Sequence, residues 1–182
     1  MATLRTIADH IMDIGENAVK SGGNKGYLII IETKNHFRFT ISDNGRGMDQ
    51  ETLKKALDPF YTTKKQRKKK FGLGLAFLKQ SLEQTDGTFI INSKKDVGTT
   101  VIADFNLENI DCQPIGDIPS MLINVLTMSY EFNWEIYRYY EKKGYYLNSQ
   151  IINDNFDLTK PQEIMTLKKY IIELEKEIKG GI

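Results

Sequence analysis

Ser42-Asp43-Asn44-Gly45-Arg46-Gly47-Met48 closes a stretch in which Phe37, Phe39 and Ile41 alternate with Arg38 and Thr40. The alternation predicts a half-exposed strand over 36–42. The paired glycines predict a loop of unusual backbone angles at its end. A carboxylate in that position can form a pocket floor and can accept a hydrogen bond from an exocyclic amine such as adenine N6. Asp-Asn-Gly suits a surface turn equally well, so the neighbouring segments must decide.

Outward from this loop the pattern is regular. Residues 26–33 are rich in β-branched side chains and predict a buried strand, turned at Lys34-Asn35 into the strand over 36–42. Upstream, Leu4, Ile7, Ile11, Ile14 and Ala18 recur at helical spacing over 3–21, and Gly22-Gly23 ends the helix. Downstream, residues 49–57 predict a short helix, 58–73 a loop, 74–84 an apolar-faced helix, and 88–93 and 99–107 two strands joined at Asp96-Val97-Gly98. Pro114, Gly116 and Pro119 mark a change of composition, which places a domain boundary after residue 108. Beyond it we expect a small α+β appendage (109–182): a helix over 117–129, aromatic strands over 132–140 and 145–149, a polar loop, and a helix over 161–179.

The chain has 182 residues, 25 basic and 24 acidic, with a single cysteine, Cys112. An intrachain disulfide is excluded, as is a cysteine-held metal cluster. Six of the basic residues crowd into 64–70, so the other 19 face 24 acidic ones. That balance argues against a dedicated nucleic-acid or membrane protein. The longest early apolar run, Leu28–Ile31, is too short to span a bilayer. With no signal-peptide pattern at the start, the expected location is cytoplasmic.

Three further elements bear on chemistry. Asp13-Ile-Gly-Glu-Asn17-Ala-Val-Lys20 sets a carboxylate, an amide and an ammonium on one helix face with His10. An amide oxygen is a hard ligand for Mg²⁺, and a lysine offers a point charge to phosphate. Asp58-Pro59-Phe60-Tyr61-Thr62-Thr63-Lys64 opens the basic loop, and Phe71-Gly72-Leu73-Gly74-Leu75 precedes a helix. Glycine-rich backbone opening a helix binds phosphate through free amides and the helix dipole. No Gly-Lys-Ser/Thr follows, so this is not a Walker loop.

Taken in this order and spacing, the four elements over about residues 4–107 resemble the gyrase–heat-shock chaperone–histidine kinase–MutL ATPase superfamily with its Bergerat fold. The resemblance implies an α/β two-layer sandwich, a mixed sheet covered by helices. It implies ATP and Mg²⁺ as ligands. Asn17 becomes the metal residue and Asp43 the adenine-binding residue. Lys20, Gly45, Gly47, Met48, Lys64, Gly72, Leu73, Gly74 and Thr99 fall on the remaining nucleotide-binding positions, with residues 58–71 as the ATP lid. Asn17-Ala-Val-Lys20, Pro59-Phe-Tyr-Thr-Thr-Lys64 and Gly72-Leu-Gly74-Leu-Ala76 are closest to the histidine-kinase branch, whereas Ile14-Gly-Glu-Asn17 is MutL-like. Two departures stand out: Lys70 replaces a glycine before the second glycine motif, and Asp13 replaces the Glu that serves hydrolysing members as general base. The shorter arm draws that carboxylate back by about one bond from an attacking water.

The resemblance implies a protein kinase. Neither His10, fixed on the nucleotide helix, nor His36, in a turn, fits a phosphoacceptor, so the expected target is a His, or a Ser/Thr, on a partner in trans. The alternative is a nucleotide-sensing regulatory protein with little turnover. MutL-like ATP-driven dimerisation is weaker, because no transducer segment is recognisable. The aromatic C-terminal segment reads as a small core or a docking surface. The last helix packs on the ATPase domain or pairs in a homodimer.

Overall fold

A computed structural model of the chain describes residues 6–58 and 73–180. Helix α1 (Ile7–Val19) leads into a hairpin of β1 (Lys25–Glu32) and β2 (His36–Asp43). There follow α2 (Gln50–Ala56), α3 (Gly74–Gln84), β3 (Thr88–Lys94), β4 (Gly98–Asn106) and α4 (Ile118–Thr127). The chain ends in β5 (Asn133–Tyr140), β6 (Lys143–Asn148), α5 (Ser149–Asn155) and α6 (Pro161–Ile178).

Local chemistry explains most of these boundaries. Thr6 and Asp9 form a reciprocal cap on α1: the Thr6 hydroxyl accepts from Asp9 N at 3.1 Å, and Asp9 Oδ2 accepts from Thr6 N at 3.0 Å. Asp49, Asp117 and Asn148 cap α2, α4 and α5, and Pro161 opens α6, where its missing N–H has no partner to lose. The segment expected as a polar loop after β6 begins with this last cap. Asn148 accepts from the amides of both Gln150 and Ile151, and Ile152 is buried, so a short helix forms there instead.

All six strands form one mixed sheet in the order β3-β4-β2-β1-β5-β6. Neighbours are antiparallel except β1 and β5, which run parallel with Leu28 opposite Ile136. Alternate residues face one side. Leu28 and Ile30, Phe37 and Phe39, Val101 and Phe105, and Trp134 and Ile136 are buried there beneath Ile7, Ile11 and Ile14 of α1, Leu78 and Leu82 of α3, and Leu122 and Leu126 of α4. Helices on one face and an open sheet on the other make the expected two-layer α/β sandwich.

The compositional break after residue 108 corresponds to a connector over 107–117, but the strands beyond it join the same sheet. Nothing separates the expected appendage from the first domain's core: α4 packs on α1, and α6 on α4 and β6. The connector itself serves α1. The carbonyls of Pro114 and Ile115 accept from Ile7 N and Ala8 N, both at 2.9 Å, which satisfies two amides that a helix start leaves unpaired.

The strongest cross-tie is ionic. Arg138 on β5 is fully buried; its Nε and Nη2 donate to Glu175 of α6 at 2.9 and 3.1 Å, and Nη2 also pairs with Glu32 of β1. The Tyr145 hydroxyl donates to Glu175 at 2.7 Å, and Lys179 reaches Glu32 at 3.1 Å. Burial and the neighbouring Glu175 push the Tyr145 hydroxyl upward, so it stays a donor. Removing one member of such a cluster strands the others without water. Arg138→Met should lower unfolding free energy by about 3–5 kcal/mol in urea titrations. Changing Glu32 and Glu175 to leucine in the same chain should recover most of the loss.

Candidate functional site

The site is built where α1 crosses the ends of the central strands. A cavity of about 290 Å³ is walled by Ile14, Ala18, Ile41, Leu75 and Val101, with Asn17, Lys20, Asp43, Gly47, Met48 and Thr99 on its lining. Thus six of the residues singled out from the sequence meet in one place, although 82 positions separate the first from the last.

Asp43 ends β2 and opposes Thr99 of β4. Its Oδ1 accepts from Gly45 N at 2.8 Å. Burial raises its carboxyl above the usual range, against hydrogen bonds from Gly45, Ser21 and Thr99 that pull the other way. A carboxylate so placed has lost water without gaining a cation. A polar N–H ligand restores what burial removed.

The loop after Asp43 needs its glycines for space. A Cβ on Gly45 would strike the Ser21 side chain. Gly47 has φ +57°, and a Cβ there would strike the carbonyl of Lys94. Gly98, at φ +133°, lies against the carbonyl of Asp43. The turn joining β3 and β4 therefore docks directly on the loop, and Asp96 N donates to Arg46 O at 2.6 Å. Ser93 completes the contact, accepting from Met48 N at 2.8 Å and meeting the Thr99 hydroxyl at 2.8 Å. Asn44 holds the other side, its Oδ1 accepting from the amides of Asn24 and Lys25 at 3.0 Å each.

On α1, Asn17 is exposed at the cavity wall, and Lys20 pairs with Glu16 one turn back. The Asn17 amide oxygen is a suitable donor for Mg²⁺. Among the described residues no cluster of three or more His, Cys, Asp or Glu side chains forms a metal site. An ion here would take its other ligands from phosphate and water, the usual habit of Mg²⁺.

Asp13 stands beside the cavity, against the start of α3. Gly74 is packed so closely on its carboxylate that a Cβ would overlap Oδ2. Burial, then Glu16, raises the Asp13 carboxyl, and its buried Oδ2 has no hydrogen-bond partner. Leu73 is the N-cap of α3, and no side chain caps that helix. Lys64, Lys70, Gly72 and most of the expected lid lie outside the described residues. His10 is buried, its Nε2 bonded to Gln113 Oε1 at 2.9 Å, and it is a core residue.

Sequence reasoning passed over Ser21, Arg46 and Ser93. Ser21 follows the helix and touches the Gly45 position. Arg46 lines the cavity with Nη2 bonded to the Lys20 carbonyl at 3.1 Å. The serines carried no signal beyond their type. The Arg46 position, between two glycines, did carry one.

Residues 4–109 match the family described as histidine kinase-, DNA gyrase B-, and HSP90-like ATPase. The chain belongs to this family. Curated relatives include the sensor histidine kinase YvrG of Bacillus subtilis (strain 168), 36% identical over 105 residues that cover 55% of this chain and 17% of that protein. Sensor protein RprX of Bacteroides fragilis (strain YCH46) is 36% identical over 103 residues, 53% of this chain and 20% of that protein. The chain thus spans about a fifth or less of these relatives' length. Among solved structures, the nucleotide-free catalytic domain of histidine kinase ThkA aligns with a TM-score of 0.40 at 23% identity, covering 53% of this chain and 63% of that one. The first part of the chain is an ATP-binding domain of the histidine-kinase type. No described helix is long and apolar enough to cross a membrane.

The Asp13–Gly74 contact predicts a coupled pair. Gly74→Ala should destabilise the fold by about 1–3 kcal/mol through overpacking. Asp13→Ala in the same chain should relieve most of that loss, and a double-mutant cycle from urea unfolding measures the coupling.

Proposed function

We propose that the chain is an ATP- and Mg²⁺-dependent protein kinase that phosphorylates a partner in trans. The reading is carried by the meeting of Asn17, Asp43 and Thr99 on one cavity. In it, Asp43 accepts the adenine N6–H, Gly45 and Gly47 let backbone lie against the ring, and Ser21, Met48 and Thr99 complete the purine end. Asn17 would hold Mg²⁺, which supplies neutralisation of phosphate charge when bound. Lys20 turns from Glu16 toward the phosphates. The amides at Leu73 and Gly74, on an uncapped helix start, would offer further donors to phosphate; Gly72 and Lys64, expected at the same end, lie outside the described residues.

The γ-phosphoryl group leaves ADP and bonds to an imidazole nitrogen or a hydroxyl oxygen of the acceptor, which gives up its proton. Positioning and charge neutralisation carry most of such a transfer. The acceptor lies outside these residues. His10 is buried and bonded to Gln113. His36 begins β2 while Asp43 ends it, seven strand steps or about 23 Å away. Histidine phosphorylation is favoured over Ser/Thr by the kinase-type motifs.

Asp13 favours a second reading, a nucleotide sensor with little turnover. Its carboxylate is packed on Gly74 instead of lining the cavity, so it is poorly placed to reach an attacking water. Incubation with γ-labelled ATP and candidate partners separates the two. Labelled partner is the expected outcome. Tight nucleotide binding with neither transfer nor hydrolysis establishes the sensor.

Two binding experiments test the pocket itself. Asp43→Asn should weaken ATP binding by about ten- to a hundredfold, the range of a hydrogen bond to a charged group, with the thermal midpoint preserved. The carboxylate form accepts the amine proton, so affinity should fall as acid protonates Asp43, and the fall should begin at higher pH than for an ordinary carboxyl because burial raises this one. Calorimetry across acidic pH checks this; the same limb should be absent in Asp43→Asn. Asn17→Asp should alter the magnesium dependence of binding and leave magnesium-free affinity nearly unchanged.

A further inference from the structure

The sheet face opposite the helices carries a three-row pattern that the nucleotide site does not use. Its middle row runs across all six strands: Ile90, Ile102, Thr40, Ile29, Tyr137 and Tyr146 are successive cross-strand partners. Five of the six are apolar or aromatic. None is buried, and Ile90 and Tyr146 at the two edges are 45% and 44% exposed. The flanking rows are mainly polar. One holds Asn92, Thr100, Ser42, Tyr27, Glu135 and Asn148, and the other Thr88, Asp104, Arg38, Ile31, Tyr139 and Gly144. An apolar stripe rimmed by polar residues, rich in tyrosine, is the anatomy of a protein interface.

We propose that this face packs against the same face of a second copy of the chain. Three features select a second copy. The first is area. Six strands at ~4.8 Å spacing and about five residues at ~3.3 Å each, with side-chain margins, present about 600 Å². Two copies then bury about 1,200 Å², the lower edge of stable interfaces. The second is charge. Lys25 pairs with Glu135 at 2.7 Å, and Arg38 Nε donates to Asp104 at 3.0 Å, so the charges are neutralised within the face. Beyond these pairs Lys94, at the end of the edge strand β3, adds one positive charge, too little to select a strongly charged partner or to repel a second copy strongly. The third is symmetry. A two-fold axis along the strands, between β1 and β2, sets Ile90 over Tyr146 of the other copy and Ile102 over its Tyr137. Arg38 then faces Ile31 and Thr100 faces Glu135, so no like charges meet. Sheets pack in this way about 10 Å apart.

The proposal is independent of kinase activity, because the face lies opposite the helix that carries Asn17. Sedimentation of the 182-residue chain tests it. A concentration-dependent dimer is expected at hundred-micromolar concentration. Ile90→Lys and Tyr146→Lys should each weaken dimerisation by at least about tenfold (~1.4 kcal/mol), with unchanged ATP affinity and thermal midpoint. Ile110→Lys, at a 97% exposed connector residue off the face, should leave the dimer intact. In a Cys112→Ser background, a chain carrying both Ile90→Cys and Tyr146→Cys should be joined into a covalent dimer by a bismaleimide that spans about 10 Å, the sheet-to-sheet spacing, since four strands separate these positions within one copy. A monomeric wild type at that concentration overturns the proposal, as do face variants that dimerise like wild type. Failure of the cysteine pair to cross-link a chain that does dimerise also overturns it, because the copies then meet elsewhere.

Discussion

A carboxyl group taken out of water without a counter-ion is costly, and Asp43 is such a group. The fold accommodates it by closing backbone around it from three directions. β1 begins beside it, β4 begins on its far side, and the end of α1 delivers Ser21 above it. Only glycine at 45, 47 and 98 permits so close an approach. Each of these features looks like loop chemistry in isolation. Together they make a rigid recess with a half-buried carboxyl at its floor, and a ligand bearing an N–H group can share that acceptor. The apolar walls from Ile14, Ala18, Ile41 and Val101 ask for a flat, weakly polar body. An adenine base has both properties.

The second half of the chain is bound to the first by physics of a different kind. Hydrophobic burial holds α4 on α1 and sets which face of β5 turns inward, and a buried ionic cluster adds a second condition on the strand beside it. Arg138 supplies direction. Its guanidinium must find buried carboxylates, and Glu32 of β1 and Glu175 of α6 provide them only when β5 lies beside β1 in the observed register. Gly26 adds a steric check. A side chain there would collide with the rings of Phe132 and Trp134, so the start of β1 is shaped to receive the start of β5.

These two cases show what the amino-acid order makes legible. The helices and strands of the ATP-binding part are read to within a residue or two where period and glycine stop agree, as at Gly22 after α1 and in the alternation of Phe37, Phe39 and Ile41 in β2; the start of α1, read from residue 3, is instead set at Ile7 by the extended Thr6 cap. With no local rule to join them, Asp43, Asn17 and Thr99 are legible as a set only through the resemblance of the four motifs, in their order, to the ATPase family. The parallel pairing of β1 with β5 is not, since about a hundred residues lie between the partners and no local rule joins them. Arg138 sits in a run of tyrosines where an arginine ordinarily reads as exposed; its burial follows from partners on two remote elements. α5 was hidden because a polar segment of seven residues needs only one cap and one buried isoleucine to become a helix.

Helix α1 is where the two halves meet. One side offers Asn17 to the cavity; the other packs on α4, and Gly15 lies within 3.9 Å of the buried Trp134 ring edge when a Cβ is placed on it. Its first amides are paired by the connector carbonyls of Pro114 and Ile115. The helix that would hold the cation is therefore held at its start and along its back by residues beyond 108. A shift of this helix toward a ligand would have to move against α4 and the connector carbonyls.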